Sequence, residues 1–216
     1  MLTRKLVLPG IVLSILLLFT ATLFYPGGSL VNKTTVGFDW ENNYISNLFG
    51  EKAVNGSYNS ARFWAVAGMF CLSASYALFF AEFSRKIPSK GASKVIKYGG
   101  ILSMLFTFLI ATPLHDLMVI IASTIFLLSL FYITVFVFRS GLHVFKVLCP
   151  LCLLVFYATL FLYGSPEHRG ILPAMQKITF AFTVILVLCL EYFTTKEDFQ
   201  HINAGSNKNP DKTAGR

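Results

Sequence analysis

Charge is nearly absent from six long stretches of this chain, and that feature constrains its fold more than any other. Runs almost free of Asp, Glu, Lys and Arg cover Leu6 to Tyr25, Phe63 to Ala81, Val95 to Ala111, Leu117 to Phe138, Val147 to Tyr163 and a last stretch ending at Leu190. At roughly 20 residues each, such runs match a helix crossing a hydrocarbon core about 30 Å thick. No water is present there to satisfy backbone groups, so a spanning segment is either a helix or a strand of a closed barrel. The runs lack the period-two alternation of barrel strands. The expected fold is therefore all-α, a polytopic transmembrane bundle of six helices at approximately 6–25, 62–83, 95–113, 116–138, 147–163 and 172–193. These form one domain over residues 1–193, with a long loop at 26–61.

Composition narrows the function. Of 216 residues 55% are apolar and 13% charged, where a soluble chain carries about 25% charged. Outside the apolar runs the longest stretches are about 35 and 23 residues, too short for a soluble catalytic domain. Function must then sit in the membrane or on short loops. The first run follows Thr3-Arg4-Lys5 like a secretory signal, but its length and the Phe24-Tyr25-Pro26 end suit a retained helix better than a cleaved one.

Orientation follows from the cations. With the N-terminus inside, 13 of the 18 Lys and Arg face the cytoplasm and five face out: Lys33, Lys52, Arg62, Arg169 and Lys177. The positive-inside rule thus expects both termini cytoplasmic, in an inner or plasma membrane. The net charge of +8 is accounted for by basic loops on an anionic leaflet, with no nucleic acid. The polar tail 194–216 is expected to be disordered. Membrane lipids are the expected partners, alongside a second copy or a partner membrane protein; Gly68, Ser73, Gly99 and Gly100 permit close helix packing, within the chain as readily as between copies.

Three outer segments hold most of the remaining polar chemistry. In the first, Tyr44, Ile45, Leu48 and Phe49 alternate with Glu41, Asn42, Asn43, Ser46 and Asn47, the spacing of a short amphipathic helix on the membrane or plugging the bundle mouth. Asp39 and Arg62 flank it. The second, Thr112-Pro-Leu-His115-Asp116, turns the chain into the fourth helix. Asp116 is read there as a helix cap first, and with His115 as a functional pair second. The third, Glu167-His168-Arg169, precedes Gln176 and Lys177. Lys177, inside an apolar run, is expected to snorkel outward or to pair with Asp116, Asp39 or Glu41.

The candidate ligand-binding set is Glu41, Asn43, Ser46, Asn47, Arg62, His115, Asp116, His168, Arg169 and Lys177, and the candidate catalytic set is His115, Asp116 and Asp39. No metal and no cofactor is expected, because no HxxxH or HExxH spacing holds two ligands on one helix face. A Ser46/His115/Asp116 nucleophile arrangement is disfavoured, adjacent His and Asp being poorly placed for an Asp to orient a His. Cys149-Pro-Leu-Cys152 invites a quinone-linked thiol chemistry, but no loop cysteine exists to relay electrons, and four apolar cysteines are the simpler reading. The sequons at Asn32 and Asn55 lie in the expected outer loop.

Tyr25-Pro-Gly-Gly, Tyr44-Ile-Ser-Asn-Leu-Phe-Gly50, Asn59 to Arg62 and Thr112-Pro-Leu-His115 resemble the six-helix family of unknown function numbered 998, across about half the chain. More distantly the chain is similar to the FRAG/DRAM/Sfk membrane proteins, with Asn47 standing where those carry Asp. The resemblance implies a lipid-facing role. Two functions follow as expectations: a protein that binds or senses a lipid or small amphiphile at an outer pocket, or a membrane-embedded hydrolase or transferase using His115 and Asp116. A transporter is disfavoured, since ionisable residues are missing near the centres of the first five spans.

Overall fold

A computed structural model describes residues 2–202. The protein is all-helical, with six helices long and apolar enough to cross a membrane: α1 (Leu2–Leu23), α2 (Arg62–Phe83), α3 (Lys90–Leu109), α4 (His115–Phe138), α5 (Phe145–Tyr163) and α6 (Leu172–Phe193). A short α7 (Glu197–Gln200) follows.

The helices form a ring in chain order. α1 lies along α2, where the Ser14 hydroxyl donates to the Gly68 carbonyl at 2.7 Å. α2 packs on α3, α3 on α4, α4 on α5 and α5 on α6, which returns against α2 and α1. From α2 to α6 short connections dictate this order, because a tight turn leaves little choice but an antiparallel neighbour. The rim of the ring is apolar: Leu16, Phe70, Leu105, Phe131, Leu154 and Ile185 are each more than half exposed.

Ends of elements differ most from expectation at α3 and at the tail, while α1 is shifted to Leu2–Leu23 from 6–25. α3 begins at Lys90, five residues before 95, because Ser89 adopts an extended backbone and its hydroxyl accepts the Ala92 N–H as an N-cap. One wide π-helical turn, Val95–Gly99, then precedes the α-helical Gly100–Leu109, and α3 stops short of residue 113. The second difference is at the tail, expected to be disordered from residue 194. Thr194 is buried, and Phe199 of α7 is fully buried with its ring 5.8 Å from that of Phe83. Residues 203–216 lie outside the described part.

The two ends of the bundle are built differently. At the end carrying most of the cations, Lys86 closes α6: its ammonium donates to the carbonyls of Leu190 and Glu191, both at 3.1 Å, and to Thr194 Oγ1 at 3.2 Å. The Glu191 carboxylate lies 3.7 Å away. A cation on the last carbonyls of a helix meets both the unpaired acceptors and the negative end of the dipole. The other end is roofed by residues 24–61. Its Tyr25-Pro-Gly-Gly turn needs glycine at Gly28, whose φ is +81° and whose absent Cβ would stand 2.4 Å from the Asn55 nitrogen. Trp40 packs edge-on to Phe38 at 5.2 Å and tilted over Phe19 of α1 at 6.3 Å. Aromatic rings of this kind suit a membrane–water boundary.

Candidate functional site

The ring encloses a cavity of about 680 Å³ at the roofed end. From Asp116 at its mouth to Phe126 at its floor, both on α4, it runs ten residues, or about 15 Å. That is half the thickness of a hydrocarbon core. Below, Phe79, Phe80, Phe126, Leu130, Leu186 and Leu190 close around a void of only about 10 Å³. A void of that size scarcely holds one water. The cavity therefore ends at that apolar floor.

The roof over the mouth is a turn of 3₁₀ helix, Ile45–Phe49. Leu48 and Phe49 are buried, so the apolar pattern in this segment serves a plug in the bundle mouth. Three groups tie the plug to α6 and the segment before it. The Ile45 N–H donates to Gln176 Oε1 at 2.8 Å, the Lys177 ammonium donates to the Asn43 carbonyl at 2.7 Å, and the Tyr44 hydroxyl donates to the Arg169 carbonyl at 3.3 Å. Burial pushes the Tyr44 phenol up, while the nearby Arg169 charge opposes the shift.

Side chains at the mouth form one connected set. His115 Nδ1 lies 2.9 Å from Asp116 Oδ1, and the Tyr163 hydroxyl donates to the same oxygen at 2.7 Å. Sequence neighbours thus do achieve the Asp-orients-His contact, against expectation, because Asp116 sits in the first helical turn and its carboxylate folds back over His115. Its side chain makes no capping bond to the backbone either; Leu114 is the N-cap residue. Held through Nδ1, the His115 ring keeps Nε2 for another partner. Arg169 lines the mouth and makes no ion pair among the described residues.

Of the residues singled out from sequence, Ser46, Asn47, His115, Asp116 and Arg169 line the cavity. The others are spent elsewhere. Asp39 ties a turn, its carboxylate accepting the N–H groups of Glu41 and Asn42, both at 3.1 Å, and the Asn42 amide at 3.0 Å. The Asn42 side-chain bond is the main reason its pKa lies below the usual carboxylate value. Glu41 is exposed above that turn. Asn43 is fully buried as a loop pin, its amide donating to the Gly28 carbonyl at 2.9 Å and its oxygen accepting the Asp39 N–H at 2.8 Å. Arg62 pairs with Glu51 at 3.0 Å on the surface, and His168 lies 3.8 Å from Glu167. Lys177 snorkels as expected, but onto the Pro173 and Asn43 carbonyls, pairing with none of Asp116, Asp39 and Glu41.

Four lining residues carry no sequence signal strong enough to find them. Tyr44 reads as part of an apolar face, Gln176 as the neighbour of Lys177, Tyr163 as a helix end, and Tyr76 as one aromatic among many. Only the meeting of α2, α4, α5 and α6 gives them a common purpose.

A six-helix bundle with an apolar rim and a polar-mouthed internal cavity defines an integral, multi-pass membrane protein. No family profile, curated protein or solved structure matches the chain.

Proposed function

We propose that this protein binds a small anionic amphiphile, with its apolar body in the cavity and its head at the mouth, in a plasma or inner membrane with the roofed end outward. The observation that carries this reading is the closed-floored pocket of about 680 Å³, within the roughly 300–1,000 Å³ of small-molecule sites. Arg169 supplies the positive charge for the head, and the Tyr163–Asp116–His115 set supplies donors and acceptors beside it. The floor, closed by Phe79, Phe80 and Leu190, argues against passage through the bundle.

Ala122 lines the cavity and is 2% exposed, so a larger side chain there intrudes on the cavity and on the residues packed around it. Purified protein in lipid nanodiscs is expected to bind dodecanoate saturably in calorimetric titration. Ala122→Phe should weaken that binding at least about tenfold, or about 1.4 kcal/mol, and lower the melting temperature by a few degrees as the ring overpacks its neighbours. Equal affinity in the two proteins would reject the cavity as the binding site.

A second reading, a hydrolase of lipid esters, is favoured by one observation, the oriented His115 with Ser46 lining the same mouth. Such an enzyme would release nitrophenol from p-nitrophenyl laurate and lose about 100-fold or more in rate in His115→Gln. The binding reading expects no release above the detergent blank.

A further inference from the structure

At the end of the bundle that carries most of the cations, three lysines of α3 have no anion to meet. Arg85 is paired with Glu82 at 2.7 Å, and Lys86 is spent on the last carbonyls of α6. Lys90, Lys94 and Lys97 come next in the chain, and none makes an ion pair with a described residue. No Asp or Glu lies between Glu82 and Asp116 or between Asp116 and Glu167, so α3, α4 and α5 bring no carboxylate to this end. A fourth cation stands beside the three. A Cβ at Gly99 would lie 2.8 Å from Ser129 Oγ of α4, and ten residues along each antiparallel helix from that contact Arg139 comes level with Ser89. Arg139 is exposed and makes no ion pair with a described residue either.

Below the lysines the same face turns apolar. Lys90, Lys94, Tyr98, Leu102 and Leu105 are all exposed and recur at intervals of three or four, which makes them one stripe along α3. The order along it is cation, phenol, aliphatic side chain. Lys97 sets its ammonium 5.2 Å from the centre of the Tyr98 ring, which keeps that charge at the level of the phenol. A tyrosine between charged and aliphatic residues suits the membrane–water boundary. Such a face meets, in turn, the phosphate, the ester region and the chains of a phospholipid.

We infer that this stripe seats one anionic phospholipid of the leaflet at that end, its phosphate among Lys90, Lys94 and Arg139 and its chains along Leu102 and Leu105. The site is separate from the cavity, which α3 lines with Met104, Thr107 and Ile110. Charge complementarity selects the occupant. A second copy docking by the same face would set lysine against lysine, and residues 203–216 carry one acid, Asp211, against Lys208, Lys212 and Arg216. An anionic headgroup supplies the missing charge, at about fivefold in affinity for each cation close to it.

Native mass spectrometry of the detergent-purified protein, titrated with dioleoylphosphatidylglycerol or dioleoylphosphatidylcholine, reads the affinity for the first bound lipid. Wild type should hold the glycerol lipid at least about tenfold more tightly than the choline lipid. Lys90→Gln/Lys94→Gln/Lys97→Gln should remove that preference. Lys5→Gln/Lys146→Gln/Lys196→Gln takes the same charge from the same end at α1, α5 and beyond α6, and should keep it. Unpaired surface lysines contribute little to stability, so melting temperatures should stay near wild type. Should the α3 triple variant fail to fold, Lys94→Gln alone is expected to cut the preference about fivefold. Equal loss in the two triple variants would overturn the site, the preference then belonging to the charge of the whole end. No preference in wild type would overturn the lipid as occupant and leave the face to an acidic protein segment. A preference that survives the α3 variant would also overturn the inference, and its loss in Ala122→Phe would then place the lipid in the cavity.

Discussion

Gly100→Val is expected to lower the melting temperature of the detergent-solubilised protein by about 4–8 °C. A Cβ at residue 100 would stand 2.1 Å from Phe80 Cγ and 2.6 Å from Phe80 Cβ. These atoms lie at the root of the ring, where no rotamer change clears them, and Phe80 is 1% exposed. Either Phe80 or the whole of α3 must move away from α2. Overpacking of this sort costs up to about 3 kcal/mol and occasionally more, and each kcal/mol is about 2–4 °C for a chain of this length. Helix propensity pulls the other way by about 1 kcal/mol, because glycine is the poorer helix former. Gly100→Ala therefore reports the balance, and it should still melt below wild type. A double-mutant cycle with Phe80→Ala separates the clash from propensity. Space freed at Phe80 should make the pair less damaging than the sum of the two. Strict additivity would mean that α2 and α3 do not meet at this point. Because Phe80 also seals the cavity floor, the same substitutions disturb the pocket from below.

The bundle itself was legible because hydropathy reports the solvent directly. α2 runs over Arg62–Phe83 and α6 over Leu172–Phe193, as expected, since a run of apolar residues bounded by polar ones leaves one answer in lipid. α3 was less legible. Its start depends on Ser89 and its π turn on two successive glycines facing Ser129 and Phe80, both matters of packing. The tail misled for the opposite reason: Thr194 to Gln200 is polar on average, yet one residue, Phe199, finds the Phe83 ring and anchors the turn.

The candidate site divides along the same line. Polar residues on short loops were few enough to name, and five of them meet at the cavity. Asp39, Asn43 and Lys177 carry the same chemistry and do structural work, which only their partners reveal: a turn, a buried pin and a tether from α6 to the plug. Tyr76 is the reverse case. Nothing in its sequence context separates it from Phe79 or Phe80 until its place in the cavity lining is seen.

Asn59 illustrates why residue type alone misleads, and Asn59→Asp is expected to damage the roof of the cavity as much as Asn59→Leu does. The side chain is 1% exposed, and its amide nitrogen faces three carbonyls: Gly50 at 2.8 Å, Leu48 at 3.1 Å and Asn47 at 3.3 Å. Its oxygen accepts the Ala61 N–H at 3.2 Å. The last turn of the plug thus closes on a donor. Leucine removes the donor and leaves buried carbonyls unanswered, at about 1–3 kcal/mol for each group that water does not reach. Aspartate keeps the size and the bond to Ala61, yet turns a carboxylate oxygen toward three carbonyl oxygens, and repulsion replaces attraction. Both variants should lower the melting temperature by several degrees. Both should also speed dissociation of dodecanoate, because Ser46, Asn47 and Phe49 of the plug wall the mouth. Stopped-flow displacement measures the rate. If Asn59→Asp released the probe as slowly as wild type while Asn59→Leu did not, the oxygen would be the part that matters. The plug would then be held from Ala61 at the start of α2, with the amide contributing nothing to closure.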